Sequence, residues 1–322
     1  MKAVFVAEFG GTDKLRYQEI PVPRPAPGEA LVRIAYSGVN FIDIYFRTGL
    51  YPAEPPVVLG MEAAGVVEAV GEGVAAVKPG DQVAYAMARG SYAEFAAVPS
   101  KLLVRIPAGI GLDLAAASML QGMTAHYLTH STYPLRPGEI CLVHAAAGGA
   151  GQWIVAAAKI RGAQVIGTVS TEEKAETARS VGCDHVINYA VSDFAAEVKR
   201  ITEGNGVDVV YDSVGAATWD KSLDSLRPRG MMVSFGNASG PVDPIAPLVL
   251  NKKGSIYLTR PSLAHYTAKR EELDWRAADV FNWVQGGLYS PRIHKIYGLP
   301  EAAQAHDDLA SRRTTGKLLL RP

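Results

Sequence analysis

The chain has 322 residues, 48% hydrophobic and 20% charged, with 32 basic residues balancing 32 acidic ones. Such a length holds two domains, and the even charge argues against a broad basic face for nucleic acid. No apolar run approaches the roughly 18 residues of a membrane span, and the opening MKAVFVAEFG is broken at Glu8, unlike a signal peptide. Both cysteines, Cys141 and Cys183, read as small buried residues, which suits a reducing cytoplasm.

Residues 1 to about 120 read mostly as β-structure. Short β-rich runs at 2–7, 30–39, 62–70, 82–85 and 93–98 are separated by Pro and Gly clusters such as PVPRPAPGE and VKPGD. The recurring Gly and Val of GMEAAGVVEAVGEGV predict a bent or bulged strand in a closed, barrel-like sheet. Residues 113–130 predict a long helix leading into the next region.

From about 123 to 260, strands alternate with helices. In CLVHAAAGGAGQWI (141–154) an apolar run ends in small residues and a helix-forming segment follows: strand, tight turn, helix N-terminus. Gly148, Gly149, Ala150 and Gly151 lie where backbone N–H groups can approach a pyrophosphate, whose charge the helix dipole favours. The spacing A-x-x-G-G-x-G departs from the strict G-x-G-x-x-G fingerprint, so a ligand-free Gly-rich turn is the alternative. Strands at 164–169, 185–189, 207–214, 230–236 and 255–259 follow, with helices at 172–181, 193–202 and near 217–226. Six strands with crossovers define an α/β architecture with a doubly wound parallel sheet.

The ribose-reading position just after 164–169 holds Ser170 and Thr171, with Lys174 one helical turn later, where an NAD site would present Asp or Glu. Hydroxyls and a cation suit a 2′-phosphate, which favours NADPH over NADH. The alternative for Lys174 is a solvated helix lysine. The tail predicts a long amphipathic helix at 264–286, a strand at 292–297, a helix at 300–313 and a strand at 317–320. These pieces are too few to fold alone and are expected to return to the first domain.

Long segments then carry a resemblance: SGVNFIDIYFRTGLY (37–51), LGMEAAGVV (59–67), LQGMTAHYL (120–128), HAAAGGAGQ (144–152), YDSVG (211–215), SFGNASG (234–240), TRPSL (259–263) and SRRTTGK (311–317). Over essentially its whole length the chain resembles the zinc-free quinone oxidoreductases of the medium-chain dehydrogenase/reductase superfamily. The resemblance implies a GroES-like β-barrel catalytic domain (1–122), an inserted Rossmann domain (123–260) and a C-terminal segment (261–322) completing the first.

Zinc enzymes of that superfamily carry G-H-E where this chain has Gly60-Met61-Glu62, and a cysteine where Asn40 stands. A thioether is a poor Zn²⁺ ligand, and residues 85–100 contain no cysteine for a structural zinc lobe, so no metal site is expected. Without a Lewis acid nothing lowers an alcohol's pKa, whereas hydride can run downhill from NADPH to a quinone or an enone.

By the resemblance, Asn40, Asp43, Tyr45 and Tyr51 lie on the loop after the 30–39 strand and face the acceptor. Asn40 would donate to the acceptor's oxygen as charge develops there, and a tyrosine hydroxyl would donate or pass on a proton. The alternatives are a helix cap for Asp43 and barrel surface for the tyrosines. On the cofactor, Asn40, Thr124, Thr259, Arg260 and Pro261 are expected toward the nicotinamide, and Tyr189 against the adenosine phosphate. Val214 and Gly215 are expected beneath the adenine ribose, with Phe235, Gly236 and Asn237 ending the fifth strand and Arg312 closing over the 2′-phosphate. His126 and His130 have no third ligand in view and read as structural. The open edge at 255–259 predicts a two-fold homodimer. An enone or enoyl reductase is the competing enzymatic reading. A non-enzymatic NADPH-binding structural or RNA-binding protein is the competing reading of another class.

Overall fold

The structure, a computed structural model, describes residues 1–322. It divides into two compact units, Met1–Met123 with Tyr266–Pro322, and Thr124–His265. The second unit ends at His265.

The first unit contains β1 (Lys2–Val6), β2 (Leu15–Glu19), β3 (Glu29–Val39), α1 (Phe41–Thr48), β4 (Val57–Val58), β5 (Glu62–Val70), β6 (Gln82–Ala86), β7 (Phe95–Pro99) and β8 (Val104–Arg105). Helix α2 (Leu112–Tyr127) then runs across the boundary. After α8 (Leu263–Tyr266), which runs across the second boundary, the chain returns with α9 (Arg270–Gln285), β15 (Ile293–Gly298), α10 (Ala302–Ala310) and β16 (Lys317–Arg321). A seven-stranded sheet runs β15-β16-β3-β5-β6-β8 with β7 also on β3, and a three-stranded sheet runs β2-β1-β4. The predicted irregularity is present on both sides of one ladder, with register shifts between Leu31 and Val32 and between Ile34 and Tyr36 where β3 meets β5. Strand β16 lies antiparallel against β3, Leu318 opposite Val39 and Leu319 opposite Gly38. Val32, Ile34, Val67, Val83, Tyr85 and Val98 fill the core these strands enclose.

The second unit contains β9 (Ile140–Val143), α3 (Gly149–Ile160), β10 (Gln164–Val169), α4 (Glu172–Val181), β11 (His185–Asn188), α5 (Phe194–Ile201), β12 (Val207–Asp212), α6 (Trp219–Ser225), β13 (Leu226–Ser234), α7 (Leu248–Lys252) and β14 (Tyr257–Thr259). All six strands are parallel, in the order β11-β10-β9-β12-β13-β14. Strands covered on both faces read as unbroken apolar runs, and Leu142, Ile166, Val210 and Met232 are buried with Phe194, Val198 and Trp219 from the helices.

Three expected elements differ. The segment after β3 is the helix α1, not a loop. The helix expected at 113–130 stops at Tyr127 and gives way to a π-helical turn over Leu128–Thr132, where the Thr129 hydroxyl donates to Ala125 O at 2.8 Å. The single helix expected at 264–286 is two helices, because Lys269 is extended (φ −94°, ψ 140°) and the buried Arg276 Nε donates to Tyr266 O at 2.8 Å. No helix is long and apolar enough to cross a membrane.

Candidate active site and nucleotide site

In the first unit the local cause of α1 is a capping box. Asn40 is the extended N-cap, and its backbone N–H donates to Asp43 Oδ2 at 2.8 Å. Asp43 is fully buried and also accepts from the Tyr92 hydroxyl at 3.1 Å. It takes the capping role that was the alternative for it, and burial pushes its carboxyl up to about 7. Tyr92 reaches His306 Nε2 at 3.0 Å, and Arg47 reaches His306 Nδ1 at 3.3 Å.

The Asn40 side chain is also held. Its Nδ2 donates to Glu62 Oε2 at 2.9 Å and, over 3.3 Å, to Gly38 O. Its Oδ1 accepts from Lys317 Nζ at 2.8 Å and from Gln121 Nε2 at 3.4 Å. Tyr45 is buried and Tyr51 half-buried, their ring centroids 5.1 Å apart, with Phe46 5.8 Å from Tyr51. Sequence reasoning missed Lys317, Tyr92 and His306 altogether. They come from β16, the segment before β7, and α10, so only strand register and helix packing bring them to Asn40 and Asp43.

In the second unit Gly148 is the N-cap of α3, and Gly149, Ala150 and Gly151 form its first turn. A Cβ on Gly151 would strike Ala145 O, so glycine there permits the close approach of the helix to the turn after β9. At the end of β10, Thr171 caps α4 by accepting from Lys174 N at 3.3 Å, while Lys174 Nζ donates to Ser170 Oγ at 3.4 Å. Tyr189 follows β11 and is exposed. Thr124 is buried in α2.

The buried Asp212, not anticipated, shapes the end of β12. Its Oδ1 accepts from Val214 N at 2.7 Å and Gly215 N at 3.0 Å, and its Oδ2 accepts from Thr218 and Ser222. Ser222 Oγ lies 2.9 Å from His144 Nε2, and Thr168 Oγ1 lies 2.8 Å from His144 Nδ1. Burial holds the His144 imidazole below its usual pKa. Beyond β13, Phe235 N donates to Asp212 O at 2.8 Å and Gly240 N to Asn237 O at 3.0 Å. Arg260, between Thr259 and Pro261, donates to Gly236 O at 2.9 Å and Ser234 Oγ at 3.0 Å. Arg312 belongs to the other unit, in the left-handed conformation (φ 57°) after α10.

A parallel sheet with a glycine turn at its carboxyl edge in one unit, and a barrel-like sheet with a polar cluster at Asn40 in the other, define a dinucleotide-dependent dehydrogenase or reductase of the medium-chain type. Residues 26–108 match the family model described as alcohol dehydrogenase GroES-like domain, and residues 149–276 match the one described as zinc-binding dehydrogenase. The chain is 46% identical to a 2-haloacrylate reductase of a Burkholderia species, covering 99% of this chain and 98% of that protein. It is equally 46% identical to a quinone oxidoreductase of Pseudomonas aeruginosa, covering 100% and 99%. The crystal structure of Escherichia coli quinone oxidoreductase complexed with NADPH superposes with a TM-score of 0.98 at 44% identity, covering 100% of both chains. The chain belongs to the quinone oxidoreductase family of the medium-chain dehydrogenase/reductase superfamily.

One matched description names zinc, and the residues here do not fit that ion. No group of three or more His, Cys, Asp or Glu side chains stands together to hold a metal. Asn40 Oδ1 is already met by the Lys317 ammonium, which would repel a second cation.

Proposed function

We propose that this protein is an NADPH-dependent quinone reductase that passes reducing equivalents to a quinone without a metal. The observation that carries the coenzyme choice is the end of β10, where Ser170 and Lys174 form a hydroxyl–ammonium pair at the ribose-reading position. Similarity to a quinone oxidoreductase solved with NADPH supports the same reading. When bound, the dihydronicotinamide supplies the hydride. The first turn of α3 receives the pyrophosphate on its N–H groups, and Tyr189, Val214, Gly215, Phe235, Gly236 and Asn237 surround the adenosine half. Thr124, Thr259, Arg260 and Pro261 serve the nicotinamide half. On the first unit Asn40 meets the acceptor's oxygen and Tyr45 and Tyr51 form its walls, while Asp43 positions Asn40 through the cap.

Similarity to a 2-haloacrylate reductase supports a second reading, hydride addition to an activated C=C bond. A spectrophotometric screen of NADPH and NADH oxidation separates the readings, using quinones, enones and 2-haloacrylate, with and without chelator. Quinone-dependent oxidation of NADPH, unchanged by chelator, is the expected result. No turnover with any acceptor would overturn the enzymatic reading and favour a non-enzymatic NADPH-binding protein. Two buried free thiols, Cys141 and Cys183, suit the cytoplasm, and the edge strand β14 suits a homodimer.

A further inference from the structure

Lys317 and Glu62 form an ion pair with both side chains almost fully buried in the first unit. Taking two charges out of water commonly costs as much as their attraction returns, so such a pair is weak as a stability device. Its partners suggest another purpose. The Lys317 ammonium donates to Glu62 Oε2 and to Asn40 Oδ1, and Asn40 Nδ2 donates back to the same Glu62 oxygen. Ammonium, carboxylate and amide thus close a ring. The other Glu62 oxygen is held by Leu120 N at 2.6 Å.

The backbone is built around this ring. Pairing of Leu318 with Val39 brings Lys317, one residue earlier on β16, alongside Asn40, one residue later than Val39. Between them Gly38 leaves the space the pair needs. A Cβ there would meet Glu62 Oε2 at 2.1 Å and Lys317 Cε at 2.9 Å.

We infer that Lys317 is a positioning residue for the acceptor site, its ammonium working with Glu62 to fix the orientation of the Asn40 amide. A carboxamide turned by half a revolution keeps its shape and exchanges its donor for its acceptor. An ammonium on one side and a carboxylate on the other permit only one choice, oxygen to Lys317 and nitrogen to Glu62. One Nδ2 hydrogen is then committed to Glu62, and the other makes only the 3.3 Å bond to Gly38 O. That second hydrogen is the one an acceptor's oxygen competes for, and the cation on Oδ1 strengthens it as a donor. The inference rests on the proposed role of Asn40.

The test is a double-mutant cycle on the full chain, with NADPH and a quinone. Lys317→Met combined with Glu62→Gln removes both charges and leaves neither unpaired. It should lower kcat roughly tenfold or more while changing KM for NADPH less than about twofold. In an Asn40→Ala background, the same pair of substitutions should cost less than about twofold in kcat. Should the charge-free variant not fold, Gly38→Ala keeps both charges but displaces them, and it is read in the same cycle. A wild type with no acceptor turnover would defeat the functional reading. An active wild type whose charge-free variant keeps full kcat, or loses the same factor with and without Asn40, would overturn the role of Lys317 alone.

Discussion

The Tyr92 hydroxyl stands 3.0 Å from His306 Nε2, and the direction of that hydrogen bond can be deduced. Arginine can only donate, so Arg47 makes His306 Nδ1 the acceptor, and the neutral imidazole carries its proton on Nε2. His306 therefore donates to Tyr92, and Tyr92 donates to Asp43. Burial holds His306 down to about 3, so it stays neutral, and the chain runs one way from guanidinium to carboxylate.

This arrangement gives a stability signature. The Asp43 carboxyl is raised from 3.8 to about 7, so the folded state keeps a proton that the unfolded chain has released. Its contribution is fully present below 3.8 and is lost as pH rises through about 7. His306 works the other way, losing stability as pH falls from 6.5 toward 3, so measurements above its window isolate Asp43. Asp43→Asn cannot ionise. Most of that loss falls below pH 6.5, and between about pH 6.5 and 8.5 the wild type should lose a further ~0.8 kcal/mol relative to this variant in urea unfolding. A constant difference across that range would mean that Asp43 does not titrate near 7 in the folded protein.

A second expectation concerns Gly151. The atom that an added Cβ would strike, Ala145 O, is backbone and cannot rotate aside. Gly151→Ala should therefore cost about 1–3 kcal/mol, as overpacking does. It should also weaken NADPH binding, because α3 must shift from the turn that presents its N–H groups. Unchanged Tm and Kd would show that α3 and the turn after β9 separate without cost.

The parallel sheet was legible because its strands are short, mostly apolar runs punctuated by Gly and caps. The glycine turn was legible because tight chain reversal admits few residues. Helix α1 was not, because a pair such as Asn40 and Asp43 closes an isolated turn as readily as it caps a helix. The break before α9 was hidden because its causes, the conformation of Lys269 and the reach of Arg276, are tertiary. Lys317 was invisible for the same reason. A lysine before LLL carries no chemistry until the register of β16 sets it beside Asn40, 277 residues away.

Strand β14 ends the six-stranded sheet and pairs only with β13, leaving Tyr257 and Leu258 exposed. An uncovered edge with apolar side chains invites another strand. Light scattering at micromolar concentration should find a dimer, with β14 pairing to its symmetry mate. Leu258→Pro removes a ladder N–H and should shift the protein toward monomer. A monomeric wild type would refute the edge-pairing arrangement.

The last expectation tests the coenzyme. Lys174 Nζ donates to Ser170 Oγ just after β10, and on the proposed reading this pair meets the 2′-phosphate that NADPH carries where NADH has only a hydroxyl. A charge-assisted contact to a phosphate contributes roughly 1.5–3 kcal/mol. About 1.4 kcal/mol already corresponds to tenfold in affinity. Lys174→Ala should therefore raise KM for NADPH roughly tenfold and leave KM for NADH almost unchanged. Because the phosphate is remote from the reacting ring, kcat should change little. Steady-state kinetics with both coenzymes on wild type and variant checks this directly. Equal losses for NADPH and NADH would make Lys174 a structural residue of α4, and a wild type that prefers NADH would remove the phosphate from this pocket altogether.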